Sequence, residues 1–343
     1  CSGSTSATPA TPPPTSSAAA ASPAGRSLAE LRGERDPRAF AWEALQRVEA
    51  GAFADAVLGE GLAGAALAPR DRALATRLVY GTLAWQGFLD HVLGAFATRP
   101  LDRIDAPVRT LLRLALLQVC RFDRVPVFAA VNTAVELCKR RERRAAGFVN
   151  ALLRRAASQW QDVPLPDPQR DLAGHLAVAW SHPRWLVELW LRDLGEEATR
   201  ALLAADNEEA PTAVRVNRRV GGRDALLAEW HAAGVDATAS AWSADGIRLA
   251  PGAAAARLLD GADAAYSFQG EASQLVGRLV GPQPGERLLD LCAAPGGKTC
   301  HLGEQMDGRG TLVAVDIAAG GVGRIRAEAA RLGLGCIEAV VAD

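Results

Sequence analysis

Between Asp36 and about Ser158, apolar residues return at spacings of three and four. Phe40, Ala44, Leu45 and Val48 form one set, and Leu74, Leu78, Val79 and Leu83 a second. Val108, Leu111, Leu112, Ala115 and Leu116 form a third. Each set lines one side of a 3.6-residue helix, so this stretch reads as an all-α bundle. Asp71 and Asp105 stand where they can cap two of its helices, and Pro107 suits a first turn. Its last two helices are expected near 128–140 and 144–157. Residues 161–171 carry three prolines and read as a linker. Helices are then predicted at 183–194 and 197–205. The period changes at 213–217, which alternates like a strand. A helix at 224–233 and strand-like pieces at 246–249 and 264–268 suggest a small α/β adaptor.

After a helix at about 271–279 the pattern becomes strand, helix, strand, helix, strand. A short buried strand over 286–291 is followed by a helix from about Thr299. A second strand at 311–316, a helix at 322–332 and a third strand at 336–341 complete the chain. That alternation predicts a parallel, doubly wound, Rossmann-like sheet. The chain therefore divides into a tail at 1–35, the bundle at 36–160, linker and adaptor at 161–268, and the start of the sheet domain at 269–343. The first 25 residues are Ser, Thr, Ala and Pro with few other types and no charge before Arg26, and are expected to stay disordered. The first residue is Cys1 rather than Met, so the start is expected to be trimmed.

Composition adds one asymmetry to this picture. The whole chain carries a net charge of −1. Residues 36–160 hold 18 Lys and Arg against 12 Asp and Glu, whereas 161–343 hold 17 against 25. A basic front suits a polyanionic partner. Lys139, Arg140, Arg141, Arg143, Arg144, Arg154 and Arg155 cluster on or beside the last two bundle helices and are the candidate RNA contacts. A merely solvated face is the alternative. Six cysteines lie far apart, with no C-x-x-C, in a chain too large to need disulfide staples. Reduced thiols and a cytoplasmic setting are expected. No run of about 18 uncharged apolar residues is present to suggest a membrane span.

Candidate chemistry sits at the strand ends. Asp290-Leu291-Cys292-Ala293-Ala294-Pro295-Gly296-Gly297-Lys298-Thr299 closes the first strand of the sheet domain. Its small residues let a ligand approach the backbone, and the following helix start favours a carboxylate. Asp316 ends the second strand, where an acid accepts hydrogen bonds from ribose hydroxyls. Asp343 ends the third, placed to accept from an adenine amine. A P-loop would need Gly where Cys292 stands, and a dinucleotide loop would need G-x-G-x-x-G, so both are excluded.

LLDLCAAPGGKTCHL resembles the cofactor motif of the RNA 5-methylcytosine methyltransferases. Among them the bacterial Sun/Fmu type, which acts on 16S ribosomal RNA, fits best. The resemblance runs from Asp36 to Asp343. RVPVFAAVNTAVELCKR and GFVNALLRR are similar to the NusB-like RNA-binding domain fused to that enzyme; SHPRWLVELW, ADNEEAPTAVRVNR and YSFQGEASQLV are similar to its connecting segments. It implies that Cys292, Ala293, Ala294, Pro295, Gly296, Gly297 and Lys298 line the methionine part of S-adenosyl-L-methionine, with Asp316 on the ribose and Asp343 on the adenine. It also implies a covalent mechanism. One cysteine adds to C6 of the cytosine, C5 takes the methyl group, and a second cysteine helps remove the C5 proton. The family carries these cysteines in Pro-Cys and Thr-Cys-Ser sequences on later strands, which are expected beyond Asp343. The chain matches the front three-quarters of such an enzyme and is expected to transfer nothing by itself. Cys292, Cys300 and Cys336 read as structural, and catalysis through Cys300 or Cys336 is disfavoured. The family's Arg five positions after Asp316 is replaced by Gly321, within three glycines expected to weaken the helix start and cofactor affinity. The implied partner is 16S ribosomal RNA or a small-subunit precursor, met by a monomer with no membrane contact. The rival reading is a non-catalytic RNA-binding or ribosome-adaptor protein that uses the bundle alone.

Overall fold

The computed structural model describes residues 34–208, 211–250 and 264–343. The tail expected at 1–25 to be disordered lies outside these. The chain separates into two compact units, divided after residue 208.

Among the described residues of the first unit, seven helices make the bundle: α1 (Pro37–Glu49), α2 (Ala54–Gly64), α3 (Pro69–Ala84), α4 (Gln86–Phe96), α5 (Ala106–Arg121), α6 (Val127–Arg141) and α7 (Ala146–Gln159). The faces set out by periodicity meet in one core, where Phe40, Leu78, Leu89, Leu112 and Leu116 are fully enclosed. Burying one such side chain is worth about 1.5–3 kcal/mol, and this many of them dominate the bundle's stability. Two buried contacts inside pair polar atoms across helices. The Trp42 indole N–H donates to the Pro107 carbonyl at 2.8 Å, and Arg113 grips Asp90 through two bonds of 2.7 and 2.8 Å.

Two expected caps differ. Asp71 lies in the first turn of α3, whose cap position is Ala68, because Pro69 starts that helix two residues earlier. Asp105 occupies the cap position of α5, but its side chain caps no N–H there. Asp36 does cap α1, accepting from the Arg38 N–H at 2.9 Å.

Three further helices belong to this unit: α8 (Leu172–Ala179), α9 (Arg184–Leu194) and α10 (Glu196–Asp206), packed around Leu176, Val187 and Leu203. Helix α8 escaped the periodicity because it is short and apolar nearly all round. Asp171 starts it, accepting from the Gly174 N–H at 3.0 Å while Arg184 of α9 binds the other carboxylate oxygen at 2.6 Å. A Cβ on Gly174 would fall 2.1 Å from that oxygen.

The second unit holds two sheets. Strands β1 (Thr212–Val216), β2 (Ala237–Ala239), β3 (Gly246–Leu249) and β4 (Tyr266–Phe268) form an antiparallel sheet ordered β2-β3-β1-β4, with α11 (Arg223–Ala232) between β1 and β2 in sequence. Val214, Val216, Trp230, Ile247 and Tyr266 make its core. Helix α12 (Glu271–Val280) then leads to a parallel sheet of β5 (Arg287–Asp290), β6 (Thr311–Asp316) and β7 (Ile337–Val341), in that order. Its crossovers are α13 (Gly297–Gln305) and α14 (Ala319–Arg331).

Leu302 and Met306 of α13 and Ile325 of α14 share one cluster with Leu288, Leu312 and Ala314 of the sheet, so both crossovers cover the same face. Strand order follows chain order here, and successive crossovers of one hand must land together. The first strand was expected to be buried on both sides. Instead β5 alternates: Leu288 packs beneath the helices, while Leu289 on the opposite face is 61% exposed. Leu291 and Ile317 are exposed as well.

Helix α12 meets α13 through His301, which is buried, with Gly277 leaving the space that its ring fills. Burial, reinforced by Arg215 and Arg218, pushes the His301 pKa down from 6.5 to about 3. The folded chain thus binds fewer protons than the unfolded chain below pH 6.5, and this group's contribution to stability falls as pH drops from 6.5 toward 3.

Two outcomes follow. Gly174→Ala should break the Asp171 cap and cost the first unit about 1–2 kcal/mol, read by thermal unfolding; an unchanged midpoint would mean the cap reforms around the methyl group. His301→Gln should flatten the acid side of the stability profile. Denaturant unfolding at pH 7 and pH 5 should show the variant losing less stability than the unaltered chain, by up to about 1.4 kcal/mol per unit below pH 6.5. Parallel profiles would mean that His301 takes its proton inside the fold.

Candidate functional site

The loop from Leu291 to Gly296 joins the end of β5 to α13. Three hydrogen bonds shape it. The Thr299 hydroxyl donates to the Asp290 carboxylate at 2.7 Å, closing the loop across its base. The Ala294 N–H donates to Asp316 at 2.9 Å, and the Ala318 N–H donates to the other oxygen of the same carboxylate at 2.9 Å. These two N–H groups, Ala318 first, hold the Asp316 pKa below the usual carboxylate range. It is therefore an anion at neutral pH, with lone pairs left to accept from a ligand.

Glycine is required at one point of the loop on two counts. Gly296 has φ of +108°, and a Cβ there would lie 3.2 Å from the Ile325 backbone of α14. The Ala294–Pro295 peptide is cis. Ala293 is buried against the sheet, whereas Cys292, Pro295 and Lys298 are exposed and Ala294 and Gly297 are intermediate.

The structure brings the strand-end acids to one end of the parallel sheet. Asp290 pairs with Ala314 and Asp316 with Val341, and Asp343 follows two residues after β7. The Ala342 N–H donates to the Asp316 carbonyl at 3.2 Å, which keeps this segment beside β6. A helix start, which favours an anion, a cradle of small residues and two further carboxylates thus lie at one end of the sheet.

Gly321, expected only to weaken a helix start, has a specific place. A Cβ on it would stand 2.7 Å from the Ala294 Cβ and 3.4 Å from Asp316, so α14 approaches the loop closely there. Four of the described cysteines are held as thiols. Burial pushes the Cys300 thiol up to about 12, and Cys120 likewise, and it raises Cys138 and Cys336 as well. Cys292 is exposed but sits within the loop.

On the bundle, the seven basic residues are not equivalent. Arg141 turns inward, paired with Glu43 at 2.8 Å and lying over the Trp42 ring. Lys139 is exposed and pairs with Glu136 at 2.7 Å. Arg140, Arg143 and Arg144 are exposed around the α6–α7 turn. Arg154 bonds Asn150 at 3.0 Å, and Arg155 lies over Phe96. Between α6 and α7 runs a groove of about 530 Å³ lined by Asn132, Lys139, Asn150 and Arg154. A second hollow of about 490 Å³ shares Asn132 and Arg154 and reaches Phe128, which is 69% exposed. Phe128 and Asn132 escaped the charge-based reading. The available signal was an aromatic residue off the apolar stripe of α6.

Residues 35–158 match the NusB family, residues 182–255 the ferredoxin-like domain of RsmF/B-like methyltransferases, and residues 278–343 the 16S rRNA methyltransferase RsmB/F family. The chain is 39% identical over 266 residues to ribosomal RNA small subunit methyltransferase B of Pseudomonas putida, covering 77% of this chain and 59% of that protein. It is 34% identical over 308 residues to the probable ribosomal RNA small subunit methyltransferase B of Bacillus subtilis, covering 89% of this chain and 68% of that one. The crystal structure of PH0851 shares the fold, with a TM-score of 0.71 at 22% identity over 91% of this chain and 70% of that one. The chain thus spans about three-fifths to two-thirds of these relatives' lengths, and it belongs to the ribosomal RNA small subunit methyltransferase B family.

Proposed function

We propose that this protein serves S-adenosyl-L-methionine-dependent methylation at C5 of a cytosine in 16S ribosomal RNA. In this reading residues 36–160 bind the RNA, 161–268 link and adapt, and 269–343 begin the methyltransferase domain. The observation that carries the reading is the convergence at one sheet end of a glycine cradle, a helix start and the carboxylates of Asp316 and Asp343. Bound there, S-adenosyl-L-methionine would supply an electrophilic methyl group.

The chain's own residues fit that group. The N-terminus of α13 and Lys298 attract its carboxylate. Residues Cys292 to Gly297 press small side chains and backbone against its methionine part. Asp316, ionised and fixed by two N–H groups, accepts from the ribose hydroxyls, and Asp343 accepts from the adenine amine. The family's covalent step, with a cysteine on C6 of the base, is assigned to none of Cys120, Cys138, Cys292, Cys300 or Cys336, since four have raised pKa values and the fifth lies in the cofactor loop.

For the RNA we assign Lys139, Arg140, Arg143, Arg144, Arg154 and Arg155 to the phosphates. Arg141 is assigned to holding α6 against α1, given its bond to Glu43. Exposed Phe128, in the adjoining hollow that shares Asn132 and Arg154, offers a stacking face to an unpaired base.

Calorimetry with S-adenosylhomocysteine tests the first assignment. Asp316→Ala removes both the ribose acceptor and the hold on Ala294, and should weaken binding roughly tenfold or more. Unaltered affinity would sink the cofactor reading and leave RNA binding by the bundle as the better account. For the second, Arg140, Arg143 and Arg144 replaced together by Ala should weaken binding of a 16S ribosomal RNA fragment. The slope of log affinity against log salt should flatten by about 0.7 for each single-strand phosphate that is no longer neutralised. A slope that does not change would make the run a solvated surface.

A further inference from the structure

Arg215 is the middle residue of an alternating strand, Val214-Arg215-Val216, and yet is only 1% exposed. Val214 and Val216 face the core under α11, and Arg215 faces the opposite way, toward α13. Its Nε and one Nη donate to the two carboxylate oxygens of Glu304 at 2.9 and 2.8 Å, and Glu304 is buried with it. The other Nη donates to the Gln269 side-chain carbonyl and to the backbone carbonyl of Gly297 at 3.2 Å.

The Gly297 contact has consequences for the loop. The Gly297 carbonyl and the Lys298 N–H belong to one planar trans peptide, with oxygen and hydrogen on opposite sides. Holding the oxygen fixes the direction of the hydrogen. A cation bonded to the carbonyl also polarises the peptide and strengthens its N–H as a donor. That N–H lies in the first turn of α13, where donors have no partner within the helix and an anion is favoured.

A second observation marks the same spot. Because Arg215 bonds the oxygen of the Gln269 amide, the orientation of that amide is determined and its nitrogen is the free end. This nitrogen is buried, has no hydrogen-bond partner among the described residues, and lies 3.9 Å from where a Cβ on Gly297 would stand. Buried unpaired donors are rare and costly, so one beneath the loop's first helical residue marks a place prepared for negative charge.

We propose that Arg215 is a positioning residue for the carboxylate subsite at the start of α13, so that the antiparallel sheet forms part of the cofactor site. This rests on the cofactor reading above. Arg215 touches no ligand; it acts through the Gly297–Lys298 peptide, with Glu304 fixing the guanidinium and Gln269 filling the space between.

Arg215→Met alone would strand the Glu304 charge and risk misfolding, so the informative variant is Arg215→Met with Glu304→Met. Well-packed apolar pairs commonly replace buried ion pairs without loss of fold. Two probes are titrated into both proteins by calorimetry: S-adenosylhomocysteine, and methylthioadenosine, which has the same sugar and base but no amino-acid end. Thermal unfolding confirms that the variant is folded. The expected result is a roughly tenfold loss for S-adenosylhomocysteine, with methylthioadenosine unchanged within about twofold. Equal losses for both probes, or no loss for either, would overturn the proposal and make the pair structural only. If the double variant is unfolded, Gln269→Leu with the same two probes should show the same split, and no split there overturns the proposal equally. Failure of the unaltered chain to bind either probe would overturn the cofactor reading, and this inference with it.

Discussion

Two opposite charges removed from water lie at the centre of the second unit. Arg215 and Glu304 join the antiparallel sheet to α13, and α13 in turn carries the glycine loop and covers the parallel sheet. Burying such ions costs several kcal/mol each, recovered only where geometry and further hydrogen bonds are good. Both conditions are met through the paired bonds to Glu304 and those to Gln269 and Gly297. Even so, burial raises the pKa of Glu304 against the pull of Arg215. A carboxylate whose folded pKa is raised opposes folding once the pH exceeds its unfolded value, so at neutral pH this anion adds little net stability. Its contribution is register: in this arrangement of β1 against α13 each charge finds its partner. A second, smaller link works the same way, since Ser267 of β4 and Arg331 both bond Glu328 on α14.

Around that anchor the loop is closed by its own carboxylates. Asp290 is occupied by Thr299, and Asp316 by two backbone N–H groups, so the acids that a ligand meets are already oriented. Preorganisation of this kind lowers the entropy lost on binding. It also ties β5, β6 and the starts of α13 and α14 into one small assembly, so displacement of any one of them moves the site.

Most of this architecture was legible in the chain. Spacings of three and four located α1, α3 and α5, because each buries a stripe against its neighbours, but not α2 or α4, and the alternation of strand and helix after Glu271 located the parallel sheet. Boundaries and faces were less legible. The apolar character of 286–291 suggested burial on both sides, but which face a crossover covers depends on strand order, which no local pattern encodes. Asp71 resembles a cap in the sequence, but Pro69 suits a first turn and starts the helix two residues earlier. The strand-end acids and the glycine loop could be found because they are contiguous or end obvious strands. Arg215 and Gln269 could not, since an arginine between two valines in an alternating strand ordinarily faces solvent. Only the packing of α13 onto that face makes it interior. Likewise Arg141 shares a run with other cations, and nothing local distinguishes the one that turns toward Glu43.

The start of α14 illustrates a different property. Gly320, Gly321 and Gly323 occupy its first two turns, and an isolated helix beginning this way would fray. What keeps it wound is the approach of Gly321 to Ala294 of the loop and the bond from the Ala318 N–H to Asp316 at the end of β6. Order in this turn is therefore borrowed from the site. Its amides should exchange with solvent through local opening, at a rate that falls when the loop is clamped. Occupancy of the site thus becomes readable in the exchange kinetics of the helix that Ala294 and Asp316 brace.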